Sequence, residues 1–598
     1  GNAIISSSDN EYYYLATRDT NIIVMQSNTS SVPSSSQNKP YTLTSIYNGT
    51  NYRDNVTWNV SNNAYHAYSD VNIENIKINS NTGNNSSSPS SGTSNSKYFY
   101  GNYHNIRLGR GIVQSGSYKT FNAIIAGDNN SSGYSSTGSS SNPNKYKVII
   151  ESGFYNTISL ANASYSNSSS RYLNSKAIYG NDYDKVTKNN NNLDINFCAS
   201  SSWGGGNYYA ANTTTSLIFD FIVKSGKFGS GKSDYATGIY VGGRGYGDHY
   251  APKKVKVEGG WIYNLIGGPS SSDDRDSLND IYMYITGGEV DSVVGGAGLS
   301  TTYGNRIIAV TGGVINYQVF GGSNGYSGSN GDGKLSGSSF IYIGGNAIIG
   351  NEDNVNNGTK LWNAEAGSVF GIGNGKSGTN SIGTNDNSTI IVDSNATILG
   401  NVYGGGNYGA TGINSSSNSN YSNLSLLGGT IKGNVYGGGN NNGASTSNKE
   451  FKVNITLNGS LVEGSIYGGS RTKGTVYGDV SLNLLSGTVK TSCYGGGEGG
   501  YQSSSSPGTF VTGEIKIITG IENESNENLK IKNAIYGGSA FGTVNGSNNS
   551  TTVSSKNTNI EVLSGTINNI FGGGEGNSTY TPYVLGNVTV DIKGGIIT

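Results

Sequence analysis

The chain has little cysteine, little charge and no long apolar run, and each shortage excludes a class of protein. Its 598 residues contain 2 cysteines, Cys198 and Cys493, which cannot form a disulfide framework or a cysteine-based metal site. No run of about 18 apolar residues occurs, so we expect no membrane-spanning helix. Charged residues make up 13% with a net charge of −1, which argues against the basic face of a nucleic-acid-binding protein.

Helix signals and enzyme signatures are also scarce. No stretch of about ten residues combines a helical apolar period with capping residues, so we expect very little helix. His66, His104 and His249 have no metal-ligand or triad spacing, and no nucleophile elbow or phosphate-binding loop is present. We therefore expect no catalytic residue, no cofactor and no metal, and we predict that the protein is not an enzyme.

Glycine, tyrosine and small polar residues replace what is missing. The chain has 93 glycines and 43 tyrosines, and the aliphatic, aromatic, methionine and cysteine residues together account for only 33%. Disordered chains normally combine low hydrophobicity with high net charge and few aromatic residues, whereas 10% of this chain is aromatic. The composition predicts a folded protein with a narrow core and long polar loops.

A repeat organises the chain, and residues 424–439 form one unit of it. An alternating run at Leu424 and Leu426 meets a Gly-Gly corner, and the short runs at Ile431 and at Val435-Tyr436 follow, with small-residue corners between them. Similar units end at Ile266, Val294, Phe320, Phe370, Tyr403, Tyr436, Tyr467, Tyr494, Tyr536 and Phe571, each followed by glycine. Three short strands cannot bury an apolar face alone, so the units must stack. The sequence predicts an all-β, right-handed parallel β-helix (β-solenoid), with about one coil per 26–35 residues and long Ser/Asn-rich loops.

The repeat assigns faces to its side chains. Ile431 and Val435 are an even number of residues apart, so we place both in the interior and expect Tyr436 to point the other way. The aromatic residues at unit ends predict a ladder with one stacked ring per coil, made of Tyr403, Tyr436, Tyr467, Tyr494, Tyr536 and Phe571. Two uses stay open: the ladder stabilises the solenoid, or it offers a contact surface for sugars or a neighbouring fibre.

The repeat is irregular at first and regular later. We predict an irregular solenoid region with long loops over residues 1–250 and a regular repeat solenoid over residues 251–598. Serine- and asparagine-rich excursions such as residues 79–97 interrupt a solenoid that begins early. Because the sequence stops inside a unit, we expect a segment of a longer protein, or a coil completed by another molecule.

Two acidic features are candidates for chemistry. Asp273, Asp274, Asp276 and Asp280, with Arg275, follow a run of serines, which favours a solvated loop over a cation site or a catalytic pair. Residues 242–248 resemble a calcium-binding nonapeptide but have one residue too many before the aspartate.

The second feature is a pair of glutamates in matching positions. Glu498 and Glu575 follow Gly-Gly-Gly where other units carry asparagine, and the coil with Ser539 separates them. Direct stacking of the two carboxylates would raise a pKa or recruit a cation. The intervening coil favours a role in turn structure instead.

The units at residues 428–440, 486–498 and 564–575 resemble the glycine-rich repeats of very large surface proteins and adhesins of anaerobic bacteria, including clostridial ones. The resemblance covers about residues 255–598 and implies a parallel β-helix at the cell surface. We expect an extracellular structural or adhesive protein that self-assembles into a fibre or layer through solenoid ends and loops, with a glycan or cell-surface ligand as a further partner. The alternatives are a carbohydrate-active β-helix enzyme, a glycan-binding module, or a phage tail fibre.

Overall fold

The structure is a computed structural model. It describes residues 255–268, 280–298, 302–325, 337–375, 387–409, 420–441, 450–500, 508–546 and 553–598, and for the earlier chain it gives strand positions. The chain divides into two compact units, Gly1–Asp291 and Ser292–Thr598. The predicted change of regularity near residue 250 concerns the repeat pattern and stays a prediction.

In the first unit the structure places strands β1–β20 in full. Strands β1–β20 are Ile4–Ser6, Tyr12–Ala16, Ile22–Gln26, Tyr41–Thr44, Thr57–Val60, Tyr65–Ala67, Val71–Glu74, Lys77–Ser80, Tyr98–Tyr100, Ile106–Leu108, Val113–Ser115, Phe121–Ile125, Asn144–Ile150, Phe154–Ser159, Leu173–Tyr179, Phe219–Val223, Lys227–Phe228, Gly238–Tyr240, Lys253–Val257 and Trp261–Ile266. Strand β21, Ile281–Val294, crosses the boundary between the units. The first three strands pair antiparallel. From β4 onward β7, β10, β13, β15, β16 and β19 follow one another in parallel register, so parallel stacking begins early.

The second unit contains the strands that follow β21. Strands β22–β47 are Arg306–Phe320, Ser339–Ile343, Ile348–Ile349, Lys360–Leu361, Ala364–Glu365, Ser368–Phe370, Ser388–Val392, Thr397–Ile398, Val402–Tyr403, Ser419–Leu426, Thr430–Ile431, Val435–Tyr436, Glu450–Val462, Ile466–Tyr467, Gly474–Val476, Val480–Val489, Cys493–Tyr494, Thr509–Val511, Ile515–Thr519, Leu529–Tyr536, Thr543–Val544, Thr558–Val562, Thr566–Phe571, Tyr583–Val584, Val588–Ile592 and Ile596–Ile597. Nearly all pairings run parallel between successive coils, which confirms the predicted parallel β-solenoid.

Three aliphatic columns fill the interior of the second unit. The first strand of each coil contributes Ile308, Ile341, Ile390, Leu424, Ile455, Leu482, Ile517 and Ile560 in register. The second contributes Ile349, Ile398, Ile431, Val462, Val489, Ile531 and Ile567. The third contributes Val319, Val369, Val402, Val435, Ile466, Cys493 and Ile535. All of these side chains are buried, so each coil closes its core against its neighbours.

Glycine at the corners is a consequence of this stacking. A Cβ on Gly437 would lie 2.1 Å from Val453 Cγ1 and 2.5 Å from the carbonyl oxygen of Gly468 in the next coil. Gly429 has a φ of +72°, a conformation that costs glycine little because it has no side chain. The corner therefore needs glycine both for close approach and for backbone conformation.

One coil carries an insertion. Between Phe320 and Phe370 lie helix α1, Glu352–Asn356, which is capped by the Asn351 side chain, and a hairpin in which β25 pairs with β26. The hairpin turns at Trp362 and Asn363, whose φ values are 52° and 60°. No other helix occurs in the part of the chain that the structure describes, and within that part none could span a membrane.

Candidate functional site: the aromatic ladder and its charged turn residues

The third strand of each coil places an aromatic ring beside the aliphatic column. Eight rings form one continuous stack, with centroid spacings of 4.7–5.0 Å and interplanar angles of 3–18°. They are the six rings of the predicted ladder together with Phe320 and Phe370. The spacing follows from the strand spacing of about 4.8 Å along a parallel stack, which holds offset rings in contact.

Most of the ladder rings are buried, which corrects the simplest interpretation of the alternation. Tyr436 does follow the interior Val435, yet its exposed fraction is 0%, as is that of Tyr403. Tyr467 and Tyr494 are exposed by only 7% and 4%, whereas Phe571 is 46% exposed. The side of the strand opposite the aliphatic column is therefore covered, and this half of the solenoid has a second, aromatic layer of core.

A row of polar side chains accompanies the rings. The residues two positions before the tyrosines in β30, β33 and β35, Asn401, Asn434 and Ser465, are linked along the stack. The backbone N–H of Asn434 donates to Asn401 Oδ1 over 2.7 Å, and that of Ser465 donates to Asn434 Oδ1 over 2.7 Å. Asn434 Nδ2 also donates to the Tyr436 hydroxyl over 3.0 Å. The row satisfies polar groups at the edge of the ladder and sets its register.

The turns after the glycines form a second ladder of amides. Asn374 Nδ2 donates to Asn324 Oδ1, Asn407 Nδ2 to Asn374 Oδ1, and Asn440 Nδ2 to Asn407 Oδ1, each over 2.9 Å. These asparagines are buried, with exposed fractions of 0–6%. The amides of Asn374 and Asn407 serve as both donor and acceptor, so the four turns are fixed to one another.

In the coils after Asn440 the same turn position carries other residue types. Backbone hydrogen bonds align it through Arg471, Glu498, Ala540 and Glu575 in successive coils. The charged side chains turn toward the ladder, and each reaches a tyrosine two coils earlier. Arg471 Nη1 donates to the Tyr403 hydroxyl over 3.1 Å.

The two glutamates follow the same two-coil rule. The Tyr436 hydroxyl donates to Glu498 Oε2 and the Tyr494 hydroxyl donates to Glu575 Oε2, both over 2.5 Å. Such hydrogen bonds to a carboxylate are short and strong. Ala540 stands where the next carboxylate would reach Tyr467, so that tyrosine has no equivalent partner. Glu498 and Glu575 are kept apart by the Ala540 coil, and both act across coils instead of stacking on each other.

The inserted hairpin supplies one more charge. Glu365 at its end accepts from Arg471 Nη1 over 2.7 Å and from Asn401 Nδ2 over 3.2 Å. Arg471 Nε lies 3.9 Å from Glu498 Oε2. The side chains of all three charged residues are about a third exposed, at 30%, 30% and 34%. The cluster is thus an arginine between two carboxylates, anchored on two buried phenols.

The cluster holds its tyrosines in the neutral form. Burial is the main cause that raises the pKa of Tyr436, and the adjacent Glu498 carboxylate raises it further. The same two causes, burial first and then the Glu575 hydrogen bond, raise the pKa of Tyr494. Burial also raises the pKa of Tyr403, although Arg471 partly opposes it. These phenols act as hydrogen-bond donors and do not supply a base or a nucleophile near neutral pH.

The structure describes only some of the remaining candidate residues. Asp280 accepts a 3.3 Å hydrogen bond from the Tyr282 hydroxyl, while the rest of the acidic cluster at 273–276 lies outside the described residues. Residues 242–248, Cys198 and the side chains of the three histidines also lie outside them. Cys493 is a buried, free thiol in an aliphatic column. Over the described residues, no three His, Cys, Asp or Glu side chains group as a metal site.

Sequence reasoning missed the charged cluster because its members are far apart in the chain. Arg471 and Glu365 are separated by 106 residues, and Glu365 belongs to an insertion with no counterpart in other units. A signal was nevertheless available, since Arg471, Glu498 and Glu575 replace asparagine at one position of the repeat. Compared with known proteins, the chain matches no family model, no curated protein and no solved structure.

Proposed function

We propose that this protein is an extracellular structural element, a stiff parallel β-solenoid that associates into fibres or layers and has no catalytic role. One observation carries the proposal: the charged side chains of the turn position, in the described region, form hydrogen bonds between coils. Arg471, Glu498 and Glu575 each reach a buried tyrosine two coils away.

This use of charge differs from what a hydrolase or lyase needs. A catalytic acid or base must present its proton-transfer atom to a substrate in a cleft. Here Glu498 Oε2 accepts a hydrogen bond from the Tyr436 hydroxyl, and Glu365 Oε2 is within hydrogen-bond distance of both Arg471 and Asn401. Cross-coil hydrogen bonds of this kind resist bending and twisting of the stack, because they connect coils that are not adjacent.

A cell-surface location fits the same design. A stack whose coils contact only their neighbours can be lengthened without limit, which suits a molecule that must extend away from a surface. Its stability comes from aromatic and amide ladders and not from disulfides, so it does not depend on the redox state of its surroundings.

Electron microscopy of the purified protein at high concentration, without added ligand, tests the proposal. We expect fibres or sheets, with a diffraction spacing of about 4.8 Å in the direction in which the coils stack. Dispersed, separate particles at all concentrations would contradict self-association. Turnover of a polysaccharide by the same preparation, abolished by Glu498→Gln, would contradict the non-catalytic role.

A further inference from the structure

The outer face of the first strands divides into an uncharged half and a charged half. In β22, β23, β28 and β31 side chains alternate between the interior and the surface, and the strands pair in register. Within these four strands the outward positions carry amides, hydroxyls, aliphatic groups and aromatic rings, and none carries a charge; the Asp393 carboxylate, just after β28, lies at the end of the face. In the following coils the same positions hold Lys452, Lys516 and Glu561.

The uncharged half presents aromatic rings to solvent, unlike the buried ladder. Phe340 is 38% exposed and Tyr421 is 39% exposed. Tyr342, two residues from Phe340 on the same face, donates its hydroxyl to Asp393 Oδ2 over 3.2 Å, which fixes the ring. Thr389 and Asn423 follow Phe340 in the same column of the sheet. Rings and hydrogen-bonding groups are therefore interspersed at fixed spacing.

We propose that this face, centred on Phe340, Tyr342 and Tyr421, binds an uncharged polysaccharide chain. Sugar rings offer C–H faces that pack on aromatic rings and hydroxyls that pair with amides and hydroxyls, and the face supplies both. An uncharged ligand matches a face whose positions within the four strands carry no charge and whose neighbouring carboxylate, Asp393, already accepts a hydrogen bond from Tyr342. The inference adds a ligand class to the structural role proposed above and rests on that role only for its location outside the cell.

The size of the face argues against another protein as its partner. Four coils at about 4.8 Å and five residues at about 3.3 Å give roughly 15 Å by 15 Å, or on the order of 200 Å². A stable protein interface needs about 800 Å² from each partner. A second copy would also have to cover the neighbouring charged half, whereas a single extended sugar chain fits within the uncharged area.

Substitutions already present in the same columns give a test that preserves the fold. Ser481 occupies the Phe340 column and Ser338 the Tyr421 column. The variant Phe340→Ser/Tyr421→Ser therefore removes both rings with residues that the sheet accepts. Ile518→Ser is the matched control, because Ile518 lies in the Tyr342 column within the charged half.

The experiment measures binding of the full chain to insoluble cellulose and chitin and to soluble neutral glucans, by depletion and by affinity electrophoresis. We expect the wild type and Ile518→Ser to bind alike and the double serine variant to bind at least about tenfold more weakly, since each aromatic contact contributes to the affinity. Unchanged circular dichroism spectra establish that all three proteins are folded.

Three results would overturn the inference: no binding of the wild type to any neutral polysaccharide, equal binding by the double variant, or loss of binding in Ile518→Ser. A fall in self-association of the double variant by analytical ultracentrifugation, without any sugar binding by the wild type, would instead assign the face to a second copy. Fibre formation by the wild type is scored without added sugar, so that experiment separates failure of this inference from failure of the structural role.

Discussion

The hydrogen bond between Tyr436 and Glu498 can be tested by a double-mutant cycle. Tyr436→Phe removes the donor and keeps the stacked ring, and Glu498→Ala places at the turn the residue that Ala540 already provides one coil later. A hydrogen bond to a charged group contributes about 1.5–3 kcal/mol when buried. Because the Glu498 side chain is 34% exposed, solvent weakens this hydrogen bond, and we expect a coupling energy between Tyr436 and Glu498 of about 1–2 kcal/mol.

Local opening is the appropriate measurement, because stacked repeats need not unfold in one step. The backbone N–H of Gly437 donates to the Tyr467 carbonyl over 2.8 Å, so its exchange with deuterium reports separation of the two coils. An energy of about 1–2 kcal/mol corresponds to roughly 5- to 30-fold faster exchange in peptides that contain this glycine. Hydrogen exchange with mass spectrometry of the wild type, both single variants and the double variant gives the coupling.

Tyr467→Phe is the matched control. Its ring is stacked on both sides at 4.9 and 4.7 Å, as in Tyr436, but no carboxylate reaches its hydroxyl from two coils away. We expect this variant to speed exchange clearly less than Tyr436→Phe does. Equal effects of the two phenylalanine variants, together with a coupling energy near zero, would refute the idea that the turn glutamates bind coils together.

Three further predictions concern stability. Burial raises the pKa of the ladder tyrosines in the folded state. Their contribution to the free energy of unfolding is therefore complete below pH 10 and is lost above it, where the unfolded chain ionises first. Absorbance at 295 nm should show these phenols ionising only as near-ultraviolet circular dichroism is lost. Tyr467→Ala should destabilise the fold by about 3–5 kcal/mol, whereas Tyr421→Ala, at 39% exposure, should cost less than about 1 kcal/mol in denaturant titrations. Asn420→Leu should stabilise the fold by about 1–3 kcal/mol, because both side-chain amide atoms of Asn420 are buried beside Phe451 with no hydrogen-bond partner among the described residues. Asn407→Leu should destabilise the fold, because the Asn407 amide is hydrogen-bonded to Asn374. A lower melting temperature for Asn420→Leu would contradict this reasoning.

The fold was predictable because the same pattern of apolar residues and glycines recurs in many coils. Ile431 and Val435 lie in buried columns, as their even separation predicts, and the glycine after Tyr436 is required by the carbonyl of the next coil. Burial of Tyr436 was not predictable in this way. Alternation assigns a side chain to one of two faces, but it does not reveal that the second face is covered too.

The site was less predictable, because it depends on departures from the repeat. The hairpin that carries Glu365 occurs in one coil, and its turn has positive φ at Trp362 and Asn363. No turn motif in the sequence predicts this turn. The two-coil reach of Arg471 toward Tyr403 depends on side-chain direction, which the spacing of units leaves undetermined. Only the replacement of asparagine by charged residues at one repeat position marked the place.

Interior and surface positions of this solenoid follow different rules, and the difference bears on where function lies. Columns such as the one containing Val435 keep small apolar residues, valine, isoleucine or cysteine, from coil to coil, because each coil must close on the next. Outward columns are free of that constraint, and one of them runs from Phe340 through Asn423 to Lys516. The motif that identifies the fold is therefore the part of the sequence least informative about partners. Specificity must be encoded in the outward rows, where coils with the same interior carry either an uncharged aromatic surface or a charged one.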